Sequence, residues 1–368
     1  MKKIKLGVFP GDGIGQDVMN AVLPIFDILK LNDFDLIEGQ IGWECWKENG
    51  DPIPQETWDI IRESDACLLG AITSKPLEEA ERELRQELQG QNIKYVSPVI
   101  QLRQKLNLFA NVRPVFDLSN EKKYNFVIIR ENTEGLYSGL DFLNIPFSIQ
   151  EEIHKNPKWA KTNLNSAACT IRLQTKEGLL RLFNFAFSYA QEHNYRKVTF
   201  ADKPNVMRES GLFAKKILEE VSSQYPDIKH EILNIDAIAL WLVKRPEQFQ
   251  VIVAENMFGD ILSDLGAGIM GGLGLAPSAN IGYDYAYFEP VHGSAPSYVG
   301  FNKANPIAMF QTVALMLKHF DFYKEALFLE KCIQDVISEN RHLTPDLGGT
   351  ATTTELSGEI LTRLRKYI

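Results

Sequence analysis

The chain has 368 residues, of which 45% are hydrophobic and 24% charged, and its formal net charge is −9. That composition excludes a wholly disordered, collagen-like or disulfide-dense chain, and no apolar run approaches the ~20 residues of a membrane span. The acidic balance disfavours a generic nucleic-acid partner, because a phosphate backbone repels net negative charge. At roughly 150 residues per domain, the length suggests two domains.

Lys3–Phe9 reads as a first strand. Its basic start resembles a signal peptide, but the apolar stretch breaks at Pro10-Gly11-Asp12-Gly13, too short for a hydrophobic core region. Gln16–Leu29 carries helical apolar spacing (Val18, Val22, Ile25, Phe26, Leu29), and Trp58–Arg62 is also helical. Ala66–Leu69 is a buried-type strand, and the charged stretch Lys75–Asn92 is a helix-prone solvated face. Phe126–Ile129, Lys197–Ala201 and Val251–Ala254 read as strands, with a helix over Thr175–His193 and another from about Phe258 to Ile269. Phe142–Asn163 lacks periodicity and reads as an excursion between domains; Gly271–Ser278 reads as a glycine-rich loop. Helices over Pro306–His319, Tyr323–Glu339 and Thr353–Tyr367 close the chain. Strands alternating with helices predict an α/β fold. The four cysteines, Cys45, Cys67, Cys169 and Cys332, are scattered without metal or redox spacing. They predict a reduced, cytoplasmic protein (mitochondrial matrix for a processed eukaryotic chain).

Three groups of residues carry chemistry. On the helix after Val251–Ala254, Asp260 and Asp264 stand at i and i+4, so both carboxylates share one face. Alone, such a pair is usually a solvated acidic turn. With Asp236 in reserve, it is also a hard-oxygen site for Mg²⁺ or Mn²⁺. Arg103, Arg113 and Arg130 lie in or beside apolar segments, where an unpaired charge is costly. Each could be a structural salt bridge, but three together suit a polycarboxylate ligand, since the guanidinium fork grips carboxylates bidentately. Lys203 follows a strand end, where α/β sheets place reacting groups, and a depressed pKa near cations would make it a base. Tyr137 could supply a phenolic proton.

Six segments, in order along nearly the whole chain, resemble the metal-dependent β-decarboxylating dehydrogenases, the isocitrate, 3-isopropylmalate and homoisocitrate dehydrogenase family. They are Gly11-Asp12-Gly13-Ile14-Gly15; Leu102-Arg103 through Phe109-Ala110-Asn111-Val112-Arg113-Pro114; Arg130-Glu131-Asn132-Thr133-Glu134-Gly135-Leu136-Tyr137; Glu255 to Asp264; Glu289-Pro290-Val291-His292-Gly293-Ser294-Ala295-Pro296; and Asp346 to Thr353. The resemblance implies an isopropylmalate dehydrogenase-like two-domain α/β fold, a mixed sheet with flanking helices rather than a Rossmann fold. Gly11-Asp12-Gly13-Ile14-Gly15 also lacks the GxGxxG spacing of a dinucleotide fingerprint. It further implies a discontinuous cofactor domain, residues 1–108 plus 272–368, and a substrate, metal and dimerisation domain, residues 109–271.

By the same resemblance, the reaction is oxidative decarboxylation of a 3-substituted (2R,3S)-malate with reduction of NAD, NADP being possible. Tyr137 and Lys203 would be catalytic; Ser97, Val99, Arg103, Arg113, Arg130 and Asn205 would bind substrate; Asp236, Asp260 and Asp264 would bind metal. Ile72, Thr73, Asn256, His292, Gly293, Ser294, Ala295, Ser297, Tyr298, Asn305 and Asp346 would hold the cofactor. A homodimer or higher homo-oligomer is implied, with Asp236 and Lys203 contributed across the interface, and with no nucleic-acid or membrane partner. Ser97 matches a serine that isocitrate enzymes place before the first arginine, whereas Val99 and Ile100 are an apolar pair suited to an isopropyl group. The segment Asn132–Gly139 leans toward isocitrate or homoisocitrate, the substrates favoured here. The alternatives are 3-isopropylmalate, tartrate or D-malate, or a non-catalytic regulatory subunit. Ser297 stands where NAD-using members usually carry an aspartate, which lowers one barrier to NADP.

Overall fold

The computed structural model describes residues 3–119 and 121–367. Twelve strands are formed among them: β1 Ile4–Gly11, β2 Phe34–Glu38, β3 Ala66–Ala71, β4 Ala110–Phe116, β5 Asn125–Glu131, β6 Asp141–Phe142, β7 Cys169–Thr170, β8 Lys197–Asp202, β9 Lys229–Asn234, β10 Val251–Ala254, β11 Pro277–Ile281 and β12 Ala286–Pro290. Ten of them make one sheet in the order β2-β1-β3-β12-β11-β4-β5-β10-β8-β9, and β6 and β7 form a separate two-stranded ribbon. The sheet is mixed. Its two ends are parallel, whereas β12, β11, β4 and β5 run antiparallel to one another through the middle. Strands from the first and last parts of the chain occupy one end, strands from the middle occupy the other, and β11 against β4 joins them.

The helices form where apolar residues recur at helical spacing against this sheet. Helix Lys176–Glu192 is capped by Thr175, whose hydroxyl accepts from the Gly178 N–H, and it buries Leu179, Leu182, Phe183, Ala186, Phe187 and Ala190. Helix Ile307–His319 is buried almost all round, because it lies against the sheet and under helix Tyr323–Glu339.

Several boundaries differ from the sequence expectation. Gln16–Leu29 is not one helix but two, Gly15–Val22 and Pro24–Ile28, since Pro24 has no N–H to continue the ladder. Lys75–Asn92 is helical only over Leu77–Arg82. Phe142–Asn163 contains helix Phe147–His154. The loop after Gly271 ends in β11 from Pro277 onward. The last helix stops at Leu364. All four cysteines are free, three of them buried. No helix among the described residues is long and apolar enough to cross a membrane.

Candidate active site

Side chains of a strand alternate between its two faces, and the central antiparallel strands use this to separate two chemistries. Asn111 and Arg113 on β4, Arg130 on β5, Ser278 and Asn280 on β11, and Tyr287 and Glu289 on β12 project to one side, here the front. Their neighbours Val112, Pro114, Val127, Ala279 and Phe288 line the back. Burial of the front set is compensated by pairing. Asn280 is fully buried; its Oδ1 accepts from Arg103 Nε at 3.1 Å, Asn111 Nδ2 at 2.7 Å and Asn132 Nδ2 at 2.8 Å, and its Nδ2 donates to Glu289 Oε1 at 2.9 Å. Arg103 Nη2 also reaches Glu289 at 3.4 Å.

Helix Asn256–Met270 crosses the front and carries the two aspartates; it begins two residues earlier than expected, capped by the Glu255 carboxylate. Arg113 donates to Asn111 Oδ1 at 2.8 Å, Ser263 Oγ at 2.7 Å and Asp264 Oδ1 at 3.2 Å. Arg130 donates twice to Asn256 Oδ1, at 2.9 and 2.8 Å, and pairs with Asp260. The Tyr137 hydroxyl donates to the other oxygen of Asp260 at 2.8 Å, and its ring lies 5.3 Å from the Arg130 guanidinium carbon. Gly259 lets the helix close on Arg130, for a Cβ there would meet the arginine Cβ at 2.6 Å.

Electrostatics follow from this crowding. Burial and then the Arg103 charge lower the pKa of Arg113. Burial, Arg103 and Arg113 together pull Arg130 down to about 10. Burial also works against Arg103, but Tyr287 and Glu289 outweigh it and raise its pKa. Burial and then the hydrogen bond to Asp260 push the Tyr137 phenol up, which keeps its proton in place. Three mutually repelling guanidiniums make a pocket suited to a polyanion.

Of the expected metal ligands, the structure brings Asp260 and Asp264 together and leaves Asp236 apart, where it accepts from Lys203 Nζ at 2.5 Å. Among the described residues no group of three His, Cys, Asp or Glu side chains lies at metal-binding distance. Asp260 and Asp264 are nevertheless a chemical fit for a hard cation: two carboxylates one helical turn apart, with side chains 34% and 60% exposed. Asn205 is exposed. Ser97 Oγ accepts from Ser74 Oγ at 3.1 Å at the start of helix Pro98–Lys105, with Val99 half-buried beside it and Ile100 exposed.

Of the expected cofactor residues, Ile72, Thr73 and Ser294 lie at the β1 and β3 ends. Asp12 accepts from the Trp43 N–H at 2.7 Å and the Thr73 N–H at 2.8 Å, and Thr73 Oγ1 meets Ser294 Oγ at 2.6 Å. Ile72 packs on the apolar cluster below. Ala295 adopts a left-handed φ of 36°, which turns the chain sharply after His292-Gly293-Ser294. His292 Nδ1 lies 3.0 Å from the Gly293 carbonyl oxygen, while its Nε2 is buried without a partner in the protein. Burial lowers the His292 pKa, leaving a neutral ring. A cofactor amide or hydroxyl fits that orphaned nitrogen. Asn305 donates to Asp346 at 2.9 Å, while Ser297 and Tyr298 are exposed. Asn256 is buried, and its amide is engaged by Arg130 and by the Glu134 carbonyl oxygen at 3.2 Å, so it orients the arginine.

The sequence reading missed Asn111, Ser278, Asn280 and Glu289, which brace the arginines. It also missed Arg172, which bridges buried Asp202, at 3.2 Å, and Glu255, at 3.7 Å. The signal was present: polar residues at alternate positions within otherwise apolar stretches, as in Asn111 and Arg113.

The mixed sheet with flanking helices and the braced arginine cluster facing paired aspartates define an α/β protein with a pocket suited to an anionic ligand. The chain matches the family model described as isocitrate/isopropylmalate dehydrogenase over residues 5–360, and it belongs to that family. Its relatives include protein DlpA of Legionella pneumophila, 54% identical over 359 residues; the match covers 97% of this chain but only 58% of DlpA. The 3-isopropylmalate dehydrogenase of Methanothermobacter thermautotrophicus is 40% identical, with 99% of each chain covered. The crystal structure of isocitrate dehydrogenase from Methylococcus capsulatus superposes with a TM-score of 0.84 at 34% identity, covering 98% of this chain and 99% of that one. The expected fold is therefore the fold observed, and the family's reaction class is a dehydrogenation at a CH–OH group.

Proposed function

We propose that this protein catalyses NAD-dependent oxidative decarboxylation of a 3-substituted (2R,3S)-malate, with isocitrate or homoisocitrate as substrate. The observation that supports the reading most is the trio Arg103, Arg113 and Arg130, close enough that their charges act on one another, with Arg113, Arg130 and the Tyr137 hydroxyl all on Asp260. Three buried cations in one place oppose one another, and a polycarboxylate relieves that repulsion. The Ser74–Ser97 hydroxyl pair supplies donors for a further carboxylate. A second reading, 3-isopropylmalate, is favoured by Val99 and Ile100 and by the name of the archaeal relative.

Mg²⁺ or Mn²⁺ would be held by Asp260 and Asp264 with Asp236 of the partner subunit. NAD would be held by Thr73, His292–Ala295, Asn305 and Asp346, with NADP tolerated because Ser297 brings no carboxylate against a 2′-phosphate. Bound, these groups supply Lewis-acid stabilisation of enolate charge and a hydride acceptor. The chain's own residues do the rest. The arginines bind and orient the carboxylates, Lys203 of the partner subunit takes the hydroxyl proton, and Tyr137, held protonated, delivers a proton to C3 after carbon dioxide leaves.

The proposed organisation is a cofactor domain of residues 1–108 plus 272–368 and a second domain of residues 109–271. The junction of β11 with β4 supports it. A homodimer is supported by apolar side chains left in solvent on two packed helices: Leu240, Trp241 and Val243 on one, Ile261 on the other. The test is a matrix of initial rates with isocitrate, homoisocitrate, 3-isopropylmalate, D-malate and tartrate, each with NAD and NADP plus Mg²⁺ or Mn²⁺. Turnover of a tricarboxylate supports the reading. Turnover of 3-isopropylmalate alone replaces its substrate, and no turnover of any refutes it. A kcat/KM ratio favouring NADP by about tenfold overturns the cofactor preference.

A further inference from the structure

The back of the central sheet holds a second cleft, of about 1180 Å³, distinct from the arginine pocket on the front. Its floor is the other side of the same strands, Val112, Pro114, Val127, Ala279 and Phe288. One wall comes from helix Lys176–Glu192 and the other from helices Ile307–His319 and Tyr323–Glu339.

Three observations set its chemistry. First, Gln311 is only 2% exposed and lines the cleft, so what remains open of its side chain faces the cleft. An amide at the wall of a cleft can both donate to and accept from an occupant. Second, the wall is aromatic. Phe185, Tyr189 and Tyr195 line it, and Tyr189 stacks on His193 with centroids 3.9 Å apart, giving a rigid π surface. Third, the charge is opposite to that of the front. Asp117, Glu192, Asp321 and Glu330 line the cleft against Lys122 and Lys318, and Lys318 is already engaged by Glu330 at 2.5 Å. A polyanionic substrate or nucleotide is therefore repelled here, whereas a cation gains from both the carboxylates and the ring faces.

We infer that this cleft is a second binding site, for a small organic ammonium ion carrying an apolar or aromatic body. The body lies on the aromatic wall and the sheet floor. The ammonium group faces Glu192 and Asp321, and the Gln311 amide oxygen accepts a hydrogen bond from the ligand.

Isothermal titration of the full chain at about pH 8, where histidines are neutral, tests this with three probes of one shape: 2-phenylethylammonium, neutral 2-phenylethanol and anionic 3-phenylpropionate. The expected result is saturable binding of the cation, at least about tenfold tighter than the alcohol, with no binding of the anion. Gln311→Leu should abolish it. Glu192→Gln, an exposed change that leaves the fold intact, should weaken the cation and not the alcohol. Equal binding of all three probes, cation binding indifferent to both variants, or no saturation below about 10 mM overturns the inference and leaves a cleft filled by water.

Discussion

Replacing Arg130 by methionine tests whether the arginine cluster exists to bind substrate or to hold the fold. The guanidinium makes two hydrogen bonds to Asn256 and an ion pair with Asp260, and it is 2% exposed. Breaking a buried ion pair ordinarily costs about 3–5 kcal/mol, because the partner charge is stranded. Two features shrink that figure. Asp260 is 34% exposed and still has Arg113 at 3.9 Å, so its charge is not stranded. The substitution also removes one of three crowded cations, for burial and then the charges of Arg103 and Arg113 draw Arg130 down to about 10. We therefore expect a loss of only about 1–2 kcal/mol in urea unfolding of the ligand-free protein. The catalytic loss should be far larger. Two charge-assisted hydrogen bonds to a substrate carboxylate, at about 1.5–3 kcal/mol each, correspond to a fall in kcat/KM of roughly 10² to 10⁴. A variant within about threefold of wild type in kcat/KM, or one that unfolds outright while the ligand-free wild type is stable, refutes the reasoning.

Tyr137→Phe should leave the unfolding midpoint nearly unchanged, since the ring is 44% exposed and loses one hydrogen bond. Steady-state rates should fall by about 10² to 10⁴, the usual contribution of a positioned proton donor; wild-type turnover would remove Tyr137 from the mechanism. Gly13→Ala should lower the melting temperature sharply, because φ is +58° and a Cβ would stand 2.1 Å from the Ser294 carbonyl oxygen. An unchanged thermal melt would show that this loop yields freely. The His292 pKa lies below its ordinary 6.5, so the unfolded chain binds more protons below that pH. Its contribution is fully present above about pH 6.5 and is lost as pH falls through the folded value. The stability of wild type relative to His292→Asn should accordingly decline on acidification below pH 6.5, measured by urea unfolding across pH. A flat difference would mean that the ring is solvated. Carboxylates whose pKa burial raises, Asp12, Glu131 and Glu255, slope the other way but are common to both proteins and cancel.

The architecture was legible where motifs or periodicity were strong. The alternation of strands and helices, the paired aspartates on one helix and the arginine trio all read directly from the chain. Strand β4 did not, because Pro114 interrupts it, and proline argues against a central strand. The structure resolves this: β11 pairs only with Ala110–Val112, so Pro114 sits where that edge of β4 is free. Helix Trp43–Asn49 and strand β2 went unread because their apolar residues are too few to set a period. The bracing network was hidden for a different reason. Asn280 gains its role from Asn111, Asn132, Arg103 and Glu289, residues brought together by strand pairing and not by spacing.

The period-two division of the central strands also constrains how this chain can change over time. A single inserted residue within β4 or β11 would carry Arg113 or Asn280 to the rear and turn valine or alanine toward the reacting centre. Both clefts would be lost in one event. Length variation is thus confined to connections such as Glu83–Lys94 and Leu143–Ala168, where no sheet register is counted. New specificity can then arise by lengthening a rim while the floor of the molecule stays in phase.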